Sequence, residues 1–175
     1  GRFDIEVDDD TNSIVNYKWQ LINITGKIAE PDQELEKFIN SYKEDVDRKY
    51  SAIVTKFSEK LIHPKREEET TLGNIFADAF ADVSETDVML VGSGSIRVTE
   101  MGPVVTLKDL LACFPYDDAL TRFEIKGLQV KKIFSYIMRS ENRSGEGECY
   151  QVNSKVSAVY DEQKKCLRTL FIEGK

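Results

Sequence analysis

Histidine is all but missing from this sequence: His63 is the only one in 175 residues. Transition-metal hydrolase centres draw several ligands from His, Asp and Glu. A self-contained dinuclear centre is therefore not expected in this chain. His63, followed by Pro64, reads as a loop or strand-end residue. Cysteine is sparse too. Cys113, Cys149 and Cys166 form no C-x-x-C pair, so they read as buried or half-exposed thiols rather than as a metal or redox site. No apolar run approaches the roughly 20 residues that cross a bilayer, and no membrane-spanning segment is expected. No signal peptide is visible either; Gly1-Arg2-Phe3-Asp4 reads as the start of a strand, as it would if the chain began inside a longer protein. Basic residues are outnumbered, 24 Lys and Arg against 31 Asp and Glu, for a net charge of -7. That balance argues against a nucleic acid polymer as partner. It leaves room for a small anion held by one or two local arginines.

What is present is a chain able to fold. Hydrophobic residues make up 41% of it, enough for a packed core. Phe3, Ile5 and Val7 alternate with polar residues, and a second apolar run includes Val15, Trp19, Leu21, Ile22 and Ile24. The turn between them, Asp8 to Asn12, completes a hairpin pattern. It superficially resembles a calcium loop, but Ser13 stands where such a loop wants glycine and no glutamate closes it. Pro31 and Asp32 signal a helix start, and Leu35, Phe38, Ile39, Tyr42, Val46 and Tyr50 supply one helical face. The β-branched cluster Ile53-Val54-Thr55 favours a strand over about 51–61. Thr70 or Thr71 can cap a second helix that buries Leu72, Ile75, Phe76, Ala79, Phe80 and Val83. Residues 87–91 read as a strand, Thr106 as the cap of a short helix, and 120–126 as another strand. Gly127 starts a helix, 140–148 is a loop, 150–160 a strand, and 167–172 pairs back on it. This mixture without internal repeats gives an α+β (mixed α/β) class.

Two segments carry chemistry. Gly92-Ser93-Gly94-Ser95 follows a strand and precedes Arg97. Small residues let backbone N–H groups approach an anion, and a guanidinium adds a fixed charged fork. The same residues also suit a plain tight turn with a surface arginine. Tyr116 lies in Phe114-Pro115-Tyr116-Asp117-Asp118. Its ring can stack on a nucleobase or pack under its own loop. Arg66 lies in the charge run Lys65 to Glu69, which reads as a solvated face.

The order of the pieces resembles the C-terminal domain of the 5'-nucleotidase family, which includes UDP-sugar hydrolases and 2',3'-cyclic-nucleotide phosphodiesterases. The resemblance rests on Glu69-Thr70-Thr71-Leu72-Gly73-Asn74-Ile75-Phe76-Ala77-Asp78-Ala79-Phe80 and on Asp87 to Arg97. Gly102, Thr106, Asp109 and Leu110 follow, then Phe114 to Asp118, Glu124 to Gln129, Tyr150-Gln151-Val152 and Val159-Tyr160-Asp161. Residues 1–28 then look like the tail end of a metallophosphatase domain, 29–50 like an interdomain helix, and 51–175 like the nucleotide-recognising C-terminal domain. The family's second stacking aromatic and Gly-Gly-Asp loop normally lie beyond Lys175, so that domain is expected to be incomplete at its C-terminus.

In such proteins the N-terminal domain holds two divalent metal ions, zinc or manganese, and hydrolyses a nucleotide or related phosphoester. The C-terminal domain grips the nucleotide and rotates to deliver its phosphate. The resemblance implies that Arg97 binds the phosphate, with Arg66 as a second anion contact. It makes Tyr116 one face of a base sandwich, Asp118 a neighbouring base- or ribose-facing group, and Gly147 a backbone contact. No residue of this chain would be catalytic and none would hold metal. An extracytoplasmic or cell-surface location is favoured on the same ground. Three departures alter the expected chemistry. Gly92 replaces the family's usual asparagine, Asp118 replaces an asparagine or glycine, and Glu67 and Glu68 flank Arg66 with negative charge.

Overall fold

The computed structural model describes residues 1–145 and 147–174. The chain divides into two compact units, Gly1–Asp47 and Arg48–Lys175. In the first, β1 (Arg2–Asp8) and β2 (Ser13–Gln20) form an antiparallel hairpin with Phe3 opposite Trp19 and Ile5 opposite Tyr17. The Asp8 carboxylate closes the turn, accepting the N–H groups of Asp10 and Thr11 and the Thr11 hydroxyl. Those bonds favour the charged form and pull its pKa below the usual carboxylate value. α1 (Gln33–Tyr50) follows; Asp32 accepts the N–H groups of Glu34 and Leu35 as its N-terminal cap. Glu34 and Glu36 in its first turn, and Arg48 and Lys49 in its last, suit the helix dipole. None of the side chains of β1, β2 or α1 is buried.

The second unit is an α+β arrangement of short antiparallel pairs and helices. In chain order it holds β3 (Ile53–Lys56), β4 (Leu61–Ile62), α2 (Thr71–Ser84), β5 (Leu90–Gly92), β6 (Glu100–Met101), β7 (Val104–Thr106), α3 (Leu107–Cys113), α4 (Gly127–Ile137), α5 (Ser140–Arg143), β8 (Tyr150–Val152), β9 (Val156–Asp161) and β10 (Cys166–Ile172). The pairings are β3 with β7, β4 with β6, β5 with β8 and β9 with β10, all antiparallel. Local chemistry sets the helix starts. Thr70 caps α2 through the Gly73 N–H, Thr106 and Asp109 form a reciprocal capping box on α3, and Gln129 reaches back to the Lys126 N–H at the head of α4. One core gathers Leu72, Phe76, Ile96, Met101, Val105 and Cys113 under α2. A second gathers Val130, Phe134 and Val156 between α4 and the β9–β10 hairpin. Burial pushes the Cys113 thiol up to about 11.

The structure departs from the sequence expectations where strand pairing was assumed to be continuous. The strand expected over about 51–61 is two pieces, β3 and β4, each with its own partner. That expected over 150–160 is broken between β8 and β9. There the Asn153 side chain donates to the Asp87 carbonyl and accepts the Met89 N–H, so its amide takes the place of a ladder rung. Residues 120–126 form no strand. Leu120, Phe123 and Ile125 are exposed there, and apolar alternation without a partner ladder does not make a strand. The 140–148 loop contains the single-turn helix α5.

One buried side chain ties these pieces together. Gln151 is fully buried on β8. Its amide oxygen accepts the Thr70 N–H, and its amide nitrogen donates to the Glu68 carbonyl and to the Ser93 hydroxyl. It thereby joins the segment before α2 to the turn after β5. Gly73 makes room for it, because a Cβ there would overlap the Gln151 side chain. A Cβ on Gly127, at the start of α4, would meet nothing within 4 Å. Gly73→Ala should therefore cost about 2–3 kcal/mol of stability, by overpacking and by disturbing a buried hydrogen-bonded amide. Gly127→Ala should be neutral to slightly stabilising. Urea unfolding of both variants checks the contrast.

Candidate functional site

The Gly92–Ser95 segment leaves β5 as one 3-10 turn, Ser93–Ser95. Several N–H groups of the turn and its exit are already engaged within the chain. Ser93 donates to the Cys149 carbonyl, Gly94 to the Glu148 carboxylate at 2.6 Å, and Ile96 to the Ser93 carbonyl. Arg97 donates its backbone N–H to the Cys113 carbonyl. The N–H groups of Ser93 and Gly94, at the heart of the cradle suggested by the sequence, are thus taken by the protein's own acceptors.

Two arginines flank this turn. The Arg97 guanidinium donates to the Gly94 carbonyl at 3.1 Å. Arg66 lies against the same glycine, where a Cβ would collide with its guanidinium. It also ion-pairs with Glu148 at 3.6 Å. Gly147 precedes that glutamate. Its N–H donates to the Ser144 carbonyl, and its missing side chain lets it close on the backbone of Asn142. Arg66, Arg97 and the Gly147-Glu148 corner therefore meet at Gly94, although 31 residues (97 minus 66) separate the two arginines.

Tyr116 sits on the segment leaving α3, whose last residue Cys113 holds the Arg97 backbone. Its ring stands edge-on to Phe114 at 6.0 Å, and Phe114 stacks on Phe76 and meets Phe80 edge-on. The aromatic core thus props the tyrosine from one side while the residue stays 44% exposed. Asp118 is exposed two residues further on. Among the described residues no cation–π contact joins Tyr116 to either arginine. A surface cavity of about 530 Å³ lies elsewhere, between the C-terminal end of α2 and residues 153–155.

Beneath the turn is a polar cluster that the sequence reading missed. His63 is only 4% exposed. Its Nε2 faces the Ser93 carbonyl at 3.2 Å and its Nδ1 faces the Thr70 hydroxyl at 2.8 Å. A carbonyl only accepts, so Nε2 carries the proton. In the neutral ring Nδ1 then accepts from Thr70 at the shorter distance, the Gln151 amide oxygen lying within reach of the same hydroxyl at 3.2 Å. Both nitrogens are engaged within the chain, so this lone histidine braces the Ser93 turn against the residue that caps α2. Burial lowers its pKa, and Arg66 adds to the effect against the Ser93 bond. Among the described residues no group of three or more His, Cys, Asp and Glu side chains could hold a metal ion. Glu148 was missed as well, because nothing in a polar loop announces that its carboxylate reaches back to Gly94. On α2, Asn74 Oδ1 is buried without a hydrogen-bond partner.

Fold comparison defines the class. A solved 5'-nucleotidase precursor from Thermus thermophilus superposes with a TM-score of 0.66, covering 97% of this chain and 35% of that one at 17% identity. The family described as "5'-nucleotidase, C-terminal domain" matches residues 50–169, and the chain belongs to it. Among curated proteins, the endonuclease YhcR of Bacillus subtilis (strain 168) is 28% identical over 137 residues, covering 77% of this chain and 11% of that protein. A 5'-nucleotidase of Vibrio vulnificus (strain CMCP6) is 24% identical, over 92% of this chain and 29% of its own length. An apyrase of Tabanus yao is 23% identical, over 89% and 30%. The chain thus spans from about a tenth to under a third of the curated relatives it matches. No helix among the described residues is long and apolar enough to cross a membrane.

The His63 brace has a pH signature. Its folded-state pKa lies below the unfolded value of 6.5. The unfolded chain therefore binds a proton first as pH falls. Stability from this group is full above 6.5 and is lost as pH falls through and below that value. Urea midpoints should decline between about pH 7.5 and about pH 5.5, and His63→Gln should flatten that decline.

Proposed function

We propose that this chain is the substrate-binding part of a metal-dependent 5'-nucleotidase-type phosphohydrolase. The parent protein hydrolyses nucleotide phosphoesters, and this polypeptide alone is inactive. The observation that carries the reading is the meeting of Arg66 and Arg97 at Gly94, with Tyr116 on the segment anchored beside the Arg97 backbone. Family membership over residues 50–169 supports it.

The chemistry follows from the side chains. Guanidinium groups are permanently charged and planar, so two of them suit the oxygens of a phosphoryl group. A half-exposed tyrosine held edge-on by the aromatic core offers its ring for stacking on a base. Asp118 faces base or ribose donors as an acceptor, and Gly147 allows close backbone approach. Residues 1–28 and 29–50 act as the tail of a metallophosphatase domain and the interdomain helix, and that domain is the chain's partner. Two divalent ions, zinc or manganese, bound there would supply Lewis acidity and an activated water. This chain's part is to bind and orient the ester. A location outside the cytoplasm or at the cell surface belongs to the same reading. Polymer binding does not, given the net charge of -7.

A second reading is a non-catalytic nucleotide-binding or interaction module. One observation favours it: the Glu148 carboxylate already occupies the Gly94 N–H. The open reading frame that encodes the chain separates the two, because Asp-x-His and Asn-His-Glu metal motifs upstream support the enzyme.

Titration with AMP should move the Tyr116 and Arg97 resonances. Arg97→Ala should weaken binding about tenfold or more, as expected for losing a charged hydrogen bond. Tyr116→Ala should cost about 1–3 kcal/mol. No phosphate release from AMP is expected with added manganese or zinc. Robust turnover by the chain alone, or silence of both resonances at millimolar AMP, overturns the reading.

A further inference from the structure

We infer that Glu148 is an internal anion that competes with the ligand's phosphoryl group for the Arg66–Gly94 corner. The inference rests on the nucleotide-binding reading only for the identity of the natural ligand; the competition itself concerns any phosphate. The geometry is that of a bound anion. One carboxylate oxygen accepts the Gly94 N–H at 2.6 Å, and the other faces the Arg66 guanidinium at 3.6 Å. A carboxylate that takes a backbone N–H and a guanidinium together makes the contacts a phosphoryl oxygen would make there.

Several features seat Glu148 in this position. Its backbone N–H donates to the Asn142 carbonyl, and Gly147 closes the loop against that same residue. The next residue, Cys149, accepts the Ser93 N–H. Gly92 and Gly94 leave the space beside the carboxylate free of Cβ atoms; a Cβ on Gly92 would meet the glutamate at 3.1 Å. Glu148 is therefore held by its own loop, and small residues make room for its carboxylate. The pair is nonetheless partly open to water, with side-chain exposures of 60% for Arg66 and 33% for Glu148. An exposed ion pair is weak and exchangeable. The arginine can be shared with, or surrendered to, an incoming anion of higher charge.

The consequence is a site whose affinity for phosphate is held down by its own glutamate. Removing that charge should tighten phosphate binding; shortening it should not. The test uses the isotope-labelled full chain titrated with inorganic phosphate, read at the Gly94 amide and the Arg66 side chain. In Glu148→Gln, half-saturation should fall about fivefold, the upper end of what one charge in a partly exposed ion pair is worth. Glu148→Asp keeps the charge and should stay within about twofold of the unaltered chain. Equal half-saturation in the unaltered chain and Glu148→Gln overturns the inference. So does the same gain in Glu148→Asp, or a Gly94 amide that phosphate moves in neither protein. AMP in a parallel titration reads Tyr116. A silent Tyr116 with tightened phosphate binding defeats the nucleotide reading and leaves the competition standing. A responsive Tyr116 with unchanged phosphate binding does the reverse.

Discussion

The second unit hangs on one amide. Gln151 is buried on β8, and its side chain meets three separate backbone or side-chain groups contributed by the lead-in to α2 and the turn after β5. A buried primary amide left unpaired would be costly, so its partners must arrive together. His63 adds a second bridge between the same two segments, from Thr70 to Ser93. Ser93 is itself fully buried. The result is a polar keystone that fixes the turn carrying Gly94 relative to the N-terminal end of α2. Everything proposed for the site depends on that turn holding still.

On this base the arginines are set by different means. Arg97 is fixed at its backbone by the last residue of α3 and at its guanidinium by the Gly94 carbonyl. Arg66 lies in a charged loop and is steered by Glu148. The two guanidinium groups thus reach the same glycine by independent routes, one through a backbone carbonyl and one through an ion pair. Tyr116 draws its rigidity from a third source, the Phe76–Phe80–Phe114 aromatic cluster. The arginine-bearing turn and the Tyr116 segment therefore stand on the same core, because Phe76 and Cys113 belong to one buried cluster.

Much of the local architecture is legible in the chain because it rests on near neighbours. Thr70, Thr106 with Asp109, and Lys126 with Gln129 start helices through contacts three residues apart, and Asp8 closes its own turn. The alternation of 120–126 misleads for the opposite reason: a strand is made by its partner, and among the described residues none pairs with it. Asn153 interrupts the expected long strand because its amide is claimed by Asp87 and Met89, more than sixty residues away. Arg97 and Tyr116 could be picked out as candidates from their residue types and settings. The roles of His63, Gln151 and Glu148 could not.

The sequence by itself determined the α+β class, the starts of α1 to α4, the family and the scarcity of histidine, since each follows from composition, short-range spacing or motif order. Tertiary structure alone decided that Arg66 joins Arg97, that the Gly94 N–H is taken by a glutamate 54 residues away, and that the single histidine is a buried brace. The physical reason is range. Caps and turns are closed by neighbours, whereas a buried hydrogen bond or an ion pair has its partner chosen by how the whole core packs.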